Sequence, residues 1–201
     1  MRLIIATKNS GKLREIKRIL RGVAIPIVSL ADLGDKFYLR EDGKTFLANA
    51  IKKTKPVSLK YRSDLVVGED SGLEVNALGG KPGIHSKRYS GPAATDNKNN
   101  LKLLDQLSVR KIKTRQARYR CCLVLMRSGK LIKSFTGELT GTISQVAKGK
   151  GGFGYDPLFY LNKYKKTVAQ LPLAEKNLIS HRAKAFLKLK HYLMSQRTAR
   201  R

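Results

Sequence analysis

Apolar positions along the chain recur at two different periods, and the change from one to the other marks out strands and helices. Leu3-Ile4-Ile5-Ala6 is a continuous apolar run of strand length that breaks into polar Thr7-Lys8-Asn9-Ser10-Gly11. Leu13, Ile16, Ile19 and Leu20 then recur at helical spacing, with Asn9 or Ser10 placed to cap the helix. Residues 23–28 read as a second strand. Glu41-Asp42-Gly43 precedes a helix whose apolar face is Phe46, Leu47, Ala50 and Ile51. Pro56 lacks the N–H that a helix interior needs, so this helix is predicted to kink or end there. Leu65-Val66-Val67-Gly68 is a third strand, ending in Glu69-Asp70-Ser71-Gly72, where a turn is expected.

Residues 97–107 are helical by spacing, and two β-rich runs, 117–127 and 130–142, meet at Ser128-Gly129 in the manner of a hairpin. A glycine-rich loop, 149–154, leads through Tyr155-Asp156-Pro157 to the strand Leu158-Phe159-Tyr160. The tail from Leu173 is helical, with a restart capped by Ser180. Strands and helices are interleaved, which predicts an α/β protein with a mixed central sheet and flanking helices. No repeat, low-complexity tract or linker interrupts the sequence, so residues 1–201 are expected to form a single domain.

Composition adds one unusual feature. The chain holds 42 Lys+Arg against 14 Asp+Glu, a formal charge of +28, which attracts polyanions. Nucleic acid, an acidic membrane surface and nucleotide phosphates all satisfy that charge, and it is spread along the chain, so it does not choose among them. Single-strand binding modules interleave exposed aromatics with basic residues. The aromatic fraction here is 7%, with many of those residues in apolar patterns, so a nucleic-acid partner is the weaker reading. The apolar run after Met1 is too short for a signal peptide, and no run is long enough to span a membrane. Cys121 and Cys122 are adjacent in a strand pattern and point to opposite faces, which excludes an ordinary disulfide between them and fits a reducing cytoplasm.

Four stretches carry candidate chemistry. Thr7, Lys8, Asn9, Ser10, Gly11 and Lys12 lie between a strand and a helix, where unpaired backbone N–H groups receive phosphate and Lys12 adds a point charge. A full P-loop would need glycine at Ala6 and Ser or Thr at Leu13. Glu41, Glu69 and Asp70 are carboxylates at predicted element ends in a very basic chain, and magnesium takes one or two carboxylates together with phosphate oxygens. Neighbours in extended chain face opposite ways, so Asp70 is assigned to the site, and Glu69 to pairing with surface Lys and Arg. In Gly151-Gly152-Phe153-Gly154-Tyr155-Asp156-Pro157 the glycines permit close backbone approach, Phe153 offers a stacking face and Asp156 accepts from base nitrogens. Lys176, then Ser180-His181-Arg182, supply donors suited to the carbonyl oxygen of a 6-oxo purine.

Taken in order, ATKNSGK from Ala6, EDGKTFLANAIKK from Glu41, GEDSGLEVNALGGKPGIHSKRYSG from Gly68, GGFGYDP from Gly151 and SHRAKA from Ser180 resemble the inosine triphosphate pyrophosphatase family, the dITP/XTP pyrophosphatases. The resemblance spans nearly the whole chain. It implies a long mixed sheet flooring a cleft between two lobes, a homodimer, and magnesium-dependent release of pyrophosphate from non-standard purine nucleoside triphosphates. By the same resemblance Thr7 to Lys12 hold the triphosphate, Glu41 and Asp70 bind magnesium, and Asp70 takes the proton of the attacking water. Lys53 and Ser71 assist the phosphates. Phe153 stacks on the base, Gly154, Tyr155 and Asp156 border it, and Lys176, His181 and Arg182 read its edge. Two positions depart from the family pattern: Lys8 stands where glycine is frequent, and Pro56 where the helix ordinarily continues.

Overall fold

The N-terminal apolar run becomes β1 (Leu3–Ile5), which pairs in parallel with β2 (Ile27–Ser29) on one side and β3 (Leu65–Val75) on the other. The computed structural model describes residues 1–35, 37, 41–109 and 113–198. With β4 (Gln116–Arg127), β5 (Lys130–Ile143), β6 (Phe159–Leu161) and β7 (Lys166–Thr167), these strands make one seven-stranded sheet in the order β2-β1-β3-β4-β5-β6-β7. β5–β6 and β6–β7 are antiparallel, so the sheet is mixed as the interleaved pattern requires. The helices are α1 (Ser10–Ile19), α2 (Phe46–Lys60), α3 (Asp96–Val109), α4 (Leu173–Ile179) and α5 (His181–Thr198). The last residues of the expected helical tail, 199–201, lie outside the described residues.

Contacts divide the chain into two compact units, each built from separated stretches. The first comprises Met1–Ser71, Cys121–Gly137 and His181–Arg201; the second comprises Gly72–Arg120 and Glu138–Ser180. In the first, α1 buries Ile16, Ile19 and Leu20 and α5 buries Ala185, Phe186 and Leu189 against Leu3, Ile5, Val67, Leu123 and Leu125 of the sheet. Each fully buried aliphatic side chain contributes about 1.5–3 kcal/mol. In the second, Leu103 and Leu107 of α3 pack with Leu73, Val75, Tyr119, Phe159 and Leu161.

Several local expectations hold. Ser128 and Gly129 both have positive φ, 50° and 76°, the two-residue turn that matches strand twist in a hairpin. Asn9 caps α1, its side chain accepting from Lys12 N at 2.9 Å. α4 and α5 are separated at Ser180, whose ψ of 154° interrupts the helical path.

Three expectations are corrected. β2 begins at Ile27 rather than at residue 23, because Pro26 has no N–H to give a ladder; its carbonyl instead accepts from Leu3 N at 2.8 Å. α2 does not end at Pro56 but continues to Lys60. Pro56 sits on the exposed side, while Val57 and Ser58 beyond it are fully buried, and that burial outweighs the missing hydrogen bond. β3 does not turn at Ser71-Gly72 but runs on to Val75, because Leu73 and Val75 alternate into the second core.

Candidate functional site

Extended backbone through Glu69 and Asp70 sends the two carboxylates to opposite faces of β3, and each meets its own set of partners within the first unit. Glu69, 4% exposed, has Oε1 2.8 Å from Lys12 Nζ and 3.4 Å from Arg182 Nε. Its Oε2 accepts from the Cys121 thiol at 3.2 Å. Arg182, 1% exposed, donates further to Glu15 Oε2 at 2.6 Å and to Ser71 Oγ at 3.0 Å. Charges therefore alternate along Glu15, Arg182, Glu69 and Lys12. Burial pushes the Glu69 carboxyl up, but Arg182 and Lys12 more than offset it and hold the group well below the usual glutamate range. Burial likewise raises the Cys121 thiol well above its ordinary value, so it remains a neutral donor.

On the other face, Asp70 meets α2. Asn49 Nδ2 donates to Asp70 Oδ2 at 2.9 Å, and Asn49 Oδ1 accepts from Gly43 N at 2.7 Å. Lys53, one turn further along the same helix face, lies 2.6 Å from Glu41 Oε1 and 3.6 Å from Asp70 Oδ1. Burial pulls the Lys53 ammonium down, yet Asp70 and Glu41 outweigh it and keep the group above its ordinary value. Burial raises Asp70 above the usual aspartate value, and Lys53, Lys12 and Asn49 only partly oppose that rise. Two glycines permit the approach. A Cβ on Gly68 would stand 1.8 Å from Thr54 Oγ1, and one on Gly43 would stand 2.7 Å from Asn49 Oδ1. Two carboxylates aimed at one cationic nitrogen form the donor set a hard cation uses. Among the described residues no three His, Cys, Asp or Glu side chains converge into a closed metal cage.

The phosphate-type loop leads into α1. Thr7 Oγ1 accepts from Asn9 N at 3.2 Å, while Lys8 and Ser10 are exposed. Lys12 N is occupied by the Asn9 cap, and the N–H groups ahead of it in the first helical turn have no partner carbonyl within the helix.

In the second unit, Asp156 organises the glycine-rich loop. Its Oδ2 accepts from Lys176 Nζ at 2.7 Å and from Phe153 N at 3.1 Å, and its Oδ1 accepts from Tyr119 Oη at 3.1 Å. The Lys176 ammonium stands 4.8 Å from the Phe153 ring centroid. Gly154 N donates to Asp96 and Gly154 O accepts from Asn100 Nδ2, which ties the loop to α3. A Cβ on Gly152, where φ is 78°, would meet Asp156 Oδ2 at 2.1 Å.

The Ham1 family model matches residues 3–192. The chain belongs to the Ham1 family. It is 46% identical to the dITP/XTP pyrophosphatase of Geobacter sulfurreducens over 96% of each chain, and 42% identical to that of Bacillus subtilis over 94% of this chain and 96% of the relative. Among solved structures, a HAM1 protein from Coxiella burnetii superposes with a TM-score of 0.89 at 33% identity, covering 97% of this chain and 99% of that one. The Staphylococcus aureus Ham1 protein gives 0.87 at 37% identity, covering 98% and 100%.

In this Ham1-family chain the structure gathers Lys12, Glu41, Lys53, Asp70, Ser71 and Arg182 in the first unit, and Phe153, Asp156 and Lys176 in the second. Four of the residues singled out from sequence have partners within the fold. Glu69 pairs with Lys and Arg as expected, but in the interior rather than at the surface. Asp156 accepts from Phe153 N and Lys176 Nζ. Tyr155 is a core residue, 3% exposed, whose hydroxyl donates to Ser86 O at 2.8 Å; burial raises its phenol well above the usual value. Arg182 directs its guanidinium at Glu15, Glu69 and Ser71, and His181, 7% exposed, opens α5 beside it. Asn49 was not singled out from sequence. Its signal was present: a polar residue four positions before Lys53, among Phe46, Ala50 and Val57 on the buried face of an amphipathic helix.

Proposed function

We propose that the protein hydrolyses non-standard purine nucleoside triphosphates, those of inosine, deoxyinosine and xanthosine, to the monophosphate and pyrophosphate, with magnesium as cofactor. The observation that carries this reading is the pair Glu41 and Asp70 on the Lys53 ammonium, in a chain whose relatives are named dITP/XTP pyrophosphatases. Glu41 and Asp70 fit magnesium because they already share one cation and leave the remaining positions to phosphate oxygens and water. When bound there, magnesium neutralises phosphate charge and acidifies water.

The protein's own groups divide the remaining work. Thr7, Asn9, Ser10, Gly11 and Lys12 receive the triphosphate at the N-terminus of α1, with Lys8 and Ser71 adding polar contacts. Lys53 balances Glu41 and Asp70 and turns toward phosphate as charge enters the site. Asp70, raised by burial and held by Asn49, accepts the proton from the water that attacks the α-phosphate. Phe153 and Gly154 receive the base, Lys176 and His181 meet its edge, Asp156 holds Lys176 in place, and Arg182 orients Ser71. A 6-oxo group is distinguished from a 6-amino group because donors left facing an amino group lose their partner. Residues 1–201 act in this reading as one catalytic domain, as a homodimer in the cytoplasm. Among the described residues no helix is long and apolar enough to cross a membrane.

The test is pyrophosphate release from inosine, xanthosine, guanosine, adenosine and thymidine triphosphates, with and without magnesium. Magnesium-dependent turnover of the first two, well above the rest, is expected. Turnover centred on another base would overturn the base-reading assignment, and none on any of them would overturn the reaction.

A further inference from the structure

The charge of +28 is not distributed alike over the fold. The acidic residues are drawn into specific pairs: Glu15 and Glu69 with Arg182, Glu41 and Asp70 with Lys53, Asp64 with Arg2, Glu74 with Arg118 and Asp156 with Lys176. One surface is built on two helices that carry cations and, among the described residues, no exposed acid of their own. α1 and α5 both bury their apolar sides against Leu3, Ile5, Leu65, Val67, Leu123 and Leu125, so their outer sides face away from the same side of the sheet. The single acid in α1, Glu15, is buried, and α5 contains none. Asp32, on the segment after β2, reaches this surface and is taken by Lys17 at 3.4 Å.

Arg14 and Arg18 stand on the exposed side of α1 at the i, i+4 spacing that puts them in one row, and Arg21 is exposed in the turn that follows. Arg14 and Arg18 stand about 6 Å apart along the helix at 1.5 Å per residue. Lys188 is exposed on α5 with its ammonium donating to Thr136 O at 2.8 Å, and Lys190 donates to Arg21 O at 2.7 Å in the turn after α1, which ties α5 to that end of α1. Guanidinium groups in a row match the spaced phosphates of a polynucleotide rather than a single small anion. A membrane surface is a poorer fit, because an interfacial helix inserts its apolar side into lipid and here both apolar sides are consumed by the core. Among the large exposed hydrophobic side chains, none lies on α1 and only Met194 lies on α5.

We infer that the outer surface of α1 and α5 binds the phosphate backbone of nucleic acid, without reading sequence and separately from nucleotide hydrolysis. Binding of this kind weakens steeply with salt, because each neutralised phosphate releases a counterion.

The test uses the full chain and a fluorescein-labelled 20-mer duplex followed by anisotropy, with inosine triphosphate turnover and thermal unfolding measured on every variant. Four contacts predict about a hundredfold loss of affinity between 50 and 200 mM KCl. The combined variant Arg14→Gln, Arg18→Gln, Arg21→Gln and Lys188→Gln is expected to lose at least tenfold in duplex affinity and to keep turnover and Tm. The matched variant Lys81→Gln, Lys87→Gln, Lys98→Gln and Lys102→Gln, in the second unit, is expected to lose less than threefold. Arg14→Ala with Arg18→Ala provides a smaller change should the fourfold variant unfold, and at least a threefold loss is expected from it. Equal losses from the two fourfold variants, no duplex binding at 50 mM KCl, or tighter binding to phosphatidylserine vesicles than to duplex would each overturn the inference.

Discussion

Asn49 Nδ2 donates to Asp70 Oδ2 across 2.9 Å, and neither residue is more than 6% exposed. The same asparagine accepts from Gly43 N, so one side chain in α2 fixes both the strand carboxylate and the segment that carries Glu41. The bond favours the ionised form of Asp70, while burial favours the protonated one. Asn49→Ala therefore raises the Asp70 pKa further. The acid limb of kcat/KM is expected to move to higher pH, with a loss of about tenfold or more at neutral pH. A pH–rate profile that does not move would refute the role given to Asn49.

Asp70→Asn removes the proton acceptor and one of the two carboxylates on Lys53. Turnover is expected to fall at least a hundredfold, equal to about 2.7 kcal/mol of transition-state stabilisation. Steady-state kinetics with saturating magnesium would check it, and near-normal kcat would remove Asp70 from the mechanism.

Arg182→Ala leaves Glu15 and Glu69 buried together without the guanidinium between them, with Lys12 remaining on Glu69. Breaking such a pair costs about 3–5 kcal/mol, or roughly 10 °C in Tm for a chain of this size. Glu69 is depressed in the folded protein, so the stability it contributes is present above the ordinary glutamate value of 4.5 and is lost as pH falls through its lower folded value. The Tm gap between wild type and variant should accordingly be widest near neutrality and shrink as the pH drops below 4.5. A gap independent of pH would place the damage in packing rather than in charge.

Gly68→Ala drives a methyl group against Thr54 Oγ1 and pushes α2 away from β3. Overpacking of this kind costs about 1–3 kcal/mol. Because Asn49 and Lys53 ride on α2, kcat should fall along with Tm. Adding Thr54→Ala removes the clashing hydroxyl and should recover part of both; if the double variant is no better than the single one, the clash lies elsewhere.

Pro56 interrupts the hydrogen-bond ladder of α2 on its exposed side. Proline in a helix interior costs about 3 kcal/mol, offset by up to about 1 kcal/mol from the stiffer unfolded chain. Pro56→Ala is expected to stabilise the protein by about 2 kcal/mol in denaturant titration, with activity unchanged.

Much of this protein is legible along the chain. Apolar runs and helical spacing located β1, α1, the β4–β5 hairpin and α3, because local periodicity is set by which side of an element is buried. Ordered motifs singled out Lys12, Glu41, Lys53 and Asp70 as candidates, and alternation along extended chain separated Asp70 from Glu69. What the sequence alone did not determine is where each charge ends. Pro56 and the Ser71-Gly72 pair carry local signals that end elements, and long-range burial of Val57, Leu73 and Val75 overrode both. Glu69, Asp156 and Arg182 read as exposed or ligand-facing groups because a charged residue in sequence carries no sign of its partner. Only tertiary structure brings Glu15 of α1 to Arg182 of α5, 167 positions apart, and sets Asn49 on Asp70. Burial makes those pairings obligatory, since a charge removed from water without its counterpart would not be tolerated.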